Sequence, residues 1–349
     1  MKRFALILLP LLAFAAGAVA MAGWHDVQAR RALADPALPL DGARMFAPSP
    51  QSPEETSSST GDDTPSLLSD AGWPGNAPSP EQVIYAQRGL LGRETTRLQP
   101  RTPGKVNLYA IVFAGDGSQN VFRNEAEYFD TLFSKRLGAE GHVVVLENNP
   151  ASLTTRPLAT WSNLENALDA VAGKMDPQQD ILLLYFTTHG SEDHTLLVDM
   201  DPLPLDQISA TDLPEILAEH PFKYKVVIVN ACYSGGFIPP LKNAGTMVIT
   251  AARADRSSFG CGEQSELTWF GHAFLVDALN QTDDFRQAFR LAKAQVAAWE
   301  KRDNYEPSEP QISTGGDIAA QLAKWRKGVR PGAEVPFAPA AARSSGTTR

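Results

Sequence analysis

The chain has 349 residues with a formal net charge of −9, and 43% of it is hydrophobic. That is long enough for one large domain with a sizeable core plus tails. The acidic balance argues against nucleic acid or an anionic membrane surface as partner, and two cysteines are too few for a disulfide framework.

At the N-terminus Lys2 and Arg3 precede an apolar run over residues 4–16, and Ala-Val-Ala follows at 18–20. Residues 1–20 thus have the layout of a secretory signal peptide with a small-residue cleavage site, which predicts an exported, periplasmic or extracellular protein. The uncharged stretch 4–24 also has the length to cross a bilayer at about 1.5 Å per residue. Its alternative is therefore an uncleaved inner-membrane anchor that tethers the protein facing the periplasm. A short helix is expected over residues 24–36. Residues 21–80 as a whole read as a linker, because the clustered prolines, serines and acids from about 45 to 80 bury too little apolar area to offset ordering entropy.

A domain is expected over residues 81–328, opening with a helix at 81–98. Residues 106–114 form a first core strand running into Gly-Asp-Gly-Ser-Gln-Asn. Gly115 and Gly117 are followed by Asn120 instead of a third glycine, so no dinucleotide site is expected. A helix over 121–137 carries Arg123 in its first turn. A strand at 142–147 and a helix at 160–175 follow, the helix with Trp161, Leu164, Leu168 and Val171 as its apolar stripe. The run Asp-Ile-Leu-Leu-Leu-Tyr-Phe-Thr-Thr-His-Gly at 180–190 is a buried strand ending at His189. Beyond it His194, Asp199 and Asp201 lack calcium-loop spacing, and no further cysteine or histidine completes a zinc set, so no metal is expected.

A helix at 211–220 leads into 225–237, Lys-Val-Val-Ile-Val-Asn-Ala-Cys-Tyr-Ser-Gly-Gly-Phe. Four β-branched residues break there into glycines, with Cys232 at the break. A strand at 246–251, a loop at 252–261, amphipathic helices at 268–279 and 285–299, a closing edge segment at 307–312 and a disordered tail at 329–349 complete the chain. Strands alternating with helices of this length predict an α/β fold, a doubly wound and mostly parallel sheet with helices on both faces.

Groups at the carboxyl ends of such strands face a ligand crevice. Cys232 there is either a nucleophile or a small buried hydrophobe. His189 ends a similar run, and adjacent parallel strands would bring imidazole and thiol into one cleft. A cysteine nucleophile needs such a base, since the thiolate attacks. The N–H groups of Gly190 and Cys232 would then serve as an oxyanion hole.

Tyr-Phe-Thr-Thr-His-Gly-Ser at 185–191, Asn-Ala-Cys-Tyr-Ser-Gly-Gly at 230–236 and Thr-Ala-Ala-Arg-Ala-Asp-Arg-Ser-Ser-Phe-Gly-Cys at 250–261 resemble the legumain (asparaginyl endopeptidase) family of caspase-like cysteine peptidases. The resemblance spans about residues 107–279. It implies a caspase-like fold, a protein or peptide substrate, no cofactor, and a Cys232–His189 dyad working through an acyl-thioester that passes to water or to an amine. It also implies a specificity pocket of Arg123, Asn230, Ser257 and Ser258, and a non-catalytic role for Cys261. The chain departs from the pattern at Asn230, where the family has an acid, and at Thr188, where it has aspartate. Asn120 is a candidate to orient His189, although ungapped alignment puts the family's asparagine on Val121. The rival reading is an inactive caspase-like binding module with Cys232 and Cys261 buried or bridged.

Overall fold

The computed structural model describes residues 73–262 and 265–340. The expected signal or anchor, the 24–36 helix and most of the linker lie outside the described residues.

Strands β1 (Leu108–Ala114), β3 (Ile181–Thr187) and β7 (Thr246–Thr250) are buried along their whole length, as are the last five residues of β6 (Tyr224–Asn230). Continuous apolar runs do this when both faces of a sheet are covered. Residue alternation assigns the two faces. Ala110, Val112, Leu183, Tyr185, Val226 and Ile228 enter one core cluster; Tyr109, Ile111, Leu182, Leu184, Val227 and Val229 enter the other.

With β2 (Val143–Glu147) and β8 (Gln311–Thr314) the sheet has the order β2-β1-β3-β6-β7-β8. All its pairs are parallel except β7 with β8. Helices α1 (Pro80–Thr96), α3 (Trp161–Ala172), α4 (Asp212–Ala218) and α5 (Ile238–Leu241) supply apolar residues to one core. The other core takes α2 (Asn120–Lys135), α6 (Trp269–Gly271, widening into a π-helical stretch at His272–Ala278), α7 (Phe285–Asp303) and α8 (Gly316–Gly328). The fold is a caspase-like, doubly wound α/β sandwich. Strand order reverses between β1 and β3, so a crevice is expected above their carboxyl ends. A small hairpin, β4 (Thr195–Leu196) with β5 (Ile208–Ser209), follows β3 and edges that crevice.

Two boundaries differ from expectation. Contacts of the domain begin before residue 81: Ser79 and Gln82 form a reciprocal capping box at 3.3 and 2.9 Å, and the Trp73 indole donates to the Pro78 carbonyl at 2.9 Å. The expected disordered tail is laid along the domain as far as Ala340. The Gly332 N–H donates to the Arg136 carbonyl at 2.9 Å, the Tyr128 hydroxyl to the Val335 carbonyl at 2.7 Å, and the Val335 N–H to Asn280 Oδ1 at 2.8 Å. Phe337 meets Tyr128 edge-on at 5.5 Å. The tail is held by its backbone groups and two apolar side chains, which composition does not report.

The N-terminal helix is fastened by a buried charge cluster. Arg156, 4% exposed, donates to Glu94 of α1 at 2.8 Å and to Glu127 of α2 at 3.0 and 2.9 Å, with Asp130 at 3.3 Å. Burial alone would lower its pKa, but Glu127, Glu94 and Asp130 outweigh burial and raise it. Arg156→Ala would leave these carboxylates facing one another without their cation. It is expected to cost about 3–5 kcal/mol, read as a lower urea midpoint at unchanged slope.

Candidate active site

The register of the central strands sets the site. Ala114 pairs with Thr187, and Thr187 with Asn230, and these are the final residues of β1, β3 and β6. Two residues beyond each stand Asp116, His189 and Cys232. The polypeptide therefore delivers an acid, an imidazole and a thiol side by side at one edge of the sheet.

The strand ends touch. A Cβ at Gly190 would fall 2.2 Å from the Cys232 carbonyl oxygen and 3.2 Å from the Ala231 Cβ, so only glycine fits between them. Gly190 faces Leu196 across an isolated bridge whose hydrogen bonds run through its neighbours, Leu197 N–H to His189 O and Ser191 N–H to Thr195 O. Its own N–H stays out of that ladder. Among the described residues no acceptor takes the Cys232 N–H either.

His189 keeps about a third of its side chain exposed (32%) and rests on the edge of Phe122, with ring centroids 5.1 Å apart. Its Nε2 lies 3.4 Å from Asp116 Oδ2, while Asp116 Oδ1 accepts the Ser118 N–H at 2.7 Å. The acid beside the histidine is thus Asp116, inside the Gly-Asp-Gly turn, and not Asn120. The Asn120 side-chain oxygen accepts from Asn149 at 3.1 Å, a correction to the expected orienting role. The signal in the sequence was positional: Asp116 stands as far past its strand as His189 and Cys232 do past theirs.

Cys232 is half-buried and a free thiol, as is Cys261, which excludes the expected rival bridge in this structure. The Sγ of Cys232 accepts the Ser258 N–H at 3.2 Å and lies 3.6 Å from the Ser258 hydroxyl. Burial, then the neighbouring Cys232, pushes the Cys261 thiol up, the setting of an unreactive cysteine. Tyr233, the next residue, has φ 55, and its carbonyl contacts His194 Nδ1 at 3.1 Å. His194 therefore braces the turn after the nucleophile position. Ser257 lines a cavity of about 270 Å³ beside that turn, with Tyr233, Phe259, Tyr305 and Pro307. Arg256 and Glu306 pair at its wall.

The other two expected pocket residues are placed differently. Asn230 is 1% exposed, and its amide donates to Glu125 at 2.8 Å, Thr268 at 2.8 Å and Tyr185 at 3.2 Å, so it belongs to a buried network below the site. Arg123 is 4% exposed. Its Nε lies 3.9 Å from Glu147, whose carboxyl is pushed up to about 7 by burial and by Glu127, and its Nη1 donates to the Ala340 carbonyl at 3.3 Å. The tail covers it. Glu125, to which the sequence analysis gives no role, is wholly buried at the centre of the Asn230 network.

Residues 163–316 match the model of the Peptidase C13 family. This stretch of the chain belongs to the legumain-type cysteine peptidase family. It contains His189, Cys232 and the Ser257–Ser258 pair, whereas Asp116, Arg123 and Glu125 precede it and reach the same sheet edge through β1 and α2. No curated protein matches the chain. Among the described residues, no cluster of three or more metal-ligating side chains occurs, and no helix is long and apolar enough to cross a membrane.

The contact between the strand ends gives a direct test. Gly190→Ala is expected to force the β3 and β6 ends apart, costing about 1–3 kcal/mol, measured as a lower melting temperature against wild type.

Proposed function

We propose that the protein is a cysteine endopeptidase working through Cys232, His189 and Asp116. Asp116 at Nε2 fixes the proton on that nitrogen and leaves Nδ1 of His189 as the base. His189 takes the thiol proton as Cys232 Sγ attacks the peptide carbonyl, and the N–H groups of Gly190 and Cys232 hold the developing oxyanion. The tetrahedral species collapses to an acyl-thioester as His189 returns that proton to the leaving amine. Water then releases the acid and the thiolate; an amine acceptor in its place makes a new peptide bond, the transpeptidase variant of the same chemistry. The cavity walled by Tyr233, Phe259, Tyr305 and the Arg256–Glu306 pair is the place offered to a substrate side chain. The segment at residues 1–20 adds that the enzyme works after export, cleaved or still tethered through residues 4–24.

The observation that carries this reading is the shared placement of Asp116, His189 and Cys232, each two residues beyond strand ends paired in register. The free state of Cys232 and Cys261 supports a peptidase over a bridged binding module.

The test is cleavage of a mixed peptide library with products read by mass spectrometry. Cys232→Ala should abolish the cuts, and His189→Ala should lower kcat by about 10²–10⁴-fold, the range of a positioned general base. Asp116→Asn should lower kcat by less than His189→Ala, with KM little changed. Cuts that persist in Cys232→Ala would rule the mechanism out.

A further inference from the structure

Glu125 lies on the second turn of α2 and takes no part in the steps above. Five donors converge on its two oxygens. Oε1 accepts the Thr268 N–H at 2.8 Å and the Thr268 hydroxyl at 2.5 Å. Oε2 accepts the Tyr185 hydroxyl at 3.0 Å, the Thr187 hydroxyl at 2.7 Å and the Asn230 amide at 2.8 Å.

The direction of these bonds follows from the donors. Backbone and amide N–H groups cannot accept. The Thr268 oxygen already accepts from the Gly271 N–H at 2.9 Å and from Asn230 at 2.8 Å, so its own hydrogen is left for Glu125. A group with acceptors only, a carboxylate, completes this arrangement. Space is reserved for it as well, since a Cβ at Gly271 would fall 2.2 Å from Oε1.

The donors sit at three places that matter to the reaction. Thr187 ends β3 two residues before His189, and Asn230 ends β6 two residues before Cys232. Thr268 caps α6, at the far end of the segment that begins with the Ser258 N–H on Cys232 Sγ. We propose that Glu125 is a positioning residue: its one carboxylate ties the β3 end, the β6 end and the α6 cap together, and so sets His189, Cys232 and Ser258 in attacking geometry. A packing role alone would be met by any residue of the same shape. The positioning role depends on a charged acceptor meeting an amide, and that pair can be exchanged, with glutamine on α2 donating to an aspartate on β6.

This inference rests on the peptidase reading, and the experiment keeps the two apart by following two signals: peptide cleavage, and the rate at which iodoacetamide alkylates Cys232 at pH 7, read by mass spectrometry. Glu125→Gln is expected to slow both by about 10–100-fold, the effect of a small misplacement of reacting groups, with KM little changed. Adding Asn230→Asp to it should recover most of the loss, because the two sites are directly coupled. Asn230→Asp alone sets two carboxylates in contact and should be slow. A folded Glu125→Gln that alkylates and turns over like wild type, or a double variant no faster than the single, would overturn the proposal. If circular dichroism shows Glu125→Gln unfolded, Thr187→Val removes one donor only; a fall in kcat at constant KM supports the proposal and an unchanged kcat overturns it. Cleavage that survives Cys232→Ala would instead sink the peptidase reading, whereas Cys232-dependent cleavage indifferent to Glu125 sinks this inference alone.

Discussion

Everything at the site depends on the register of three parallel strands. A slip of one residue in β3 against β6 would turn His189 to the opposite face of the sheet from Cys232, because side chains alternate with period two. Register of this kind is held by burial on both faces. Phe186, Leu184 and Leu182 are committed to one core and Tyr185 and Leu183 to the other, so a shift would exchange the two sets at once. The cores therefore do more than stabilise the domain: they fix the order Asp116, His189, Cys232 along the crevice. The Thr188 N–H donating to the Asn230 carbonyl at 3.3 Å extends the pairing to the last residue before the histidine.

On this apolar frame the chain places buried charge at a cost. Burial pushes the Glu125 carboxyl up, and the bonds from Thr268, Thr187 and Tyr185 pull it back only in part. A carboxyl raised in the folded state contributes its full stability below its unfolded pKa and loses it as pH rises through the folded value. Ionising Glu125 in the folded state is thus a drain on folding free energy. The domain meets it from two large cores, and the drain buys geometry where an apolar residue would give only packing. Arg156 is the contrasting case, a buried cation surrounded by Glu94, Glu127 and Asp130 that fastens one helix to another.

The sheet, its two helical layers, and the placement of His189 and Cys232 were legible because each rests on local pattern, an apolar run that stops at a polar residue and a glycine. Asp116 was hidden by its own turn. Gly-Asp-Gly reads as a loop, and the acid's meaning comes only from strand register. Glu125 was hidden by its neighbours, since one acid beside Glu127 and Asp130 in α2 looks like one of several solvated charges. Its partners are 60 to 143 residues away in sequence, at Tyr185 and Thr268. The tail escaped for a third reason: Val335 and Phe337 are sparse anchors, and the Gly332, Val335 and Ala340 backbone groups that dock it carry no side-chain signature.

The two departures from the legumain pattern make sense once these contacts are in view. With Glu125 at 2.8 Å, an acid at position 230 would put two carboxylates on one site, and one of them would have to hold a proton. Asn230 offers instead the donors that Glu125 needs. Position 188 follows the same logic. The Thr188 hydroxyl donates to the Leu197 carbonyl at 2.6 Å, and Leu197 in turn donates its N–H to the His189 carbonyl at 3.0 Å. An ionised aspartate there would set acceptor against acceptor and loosen the segment that carries the histidine. In this chain the acids stand off the two strand ends, Asp116 on the turn and Glu125 on the helix, while Asn230 and Thr188 act there as donors, to Glu125 and to the Leu197 carbonyl.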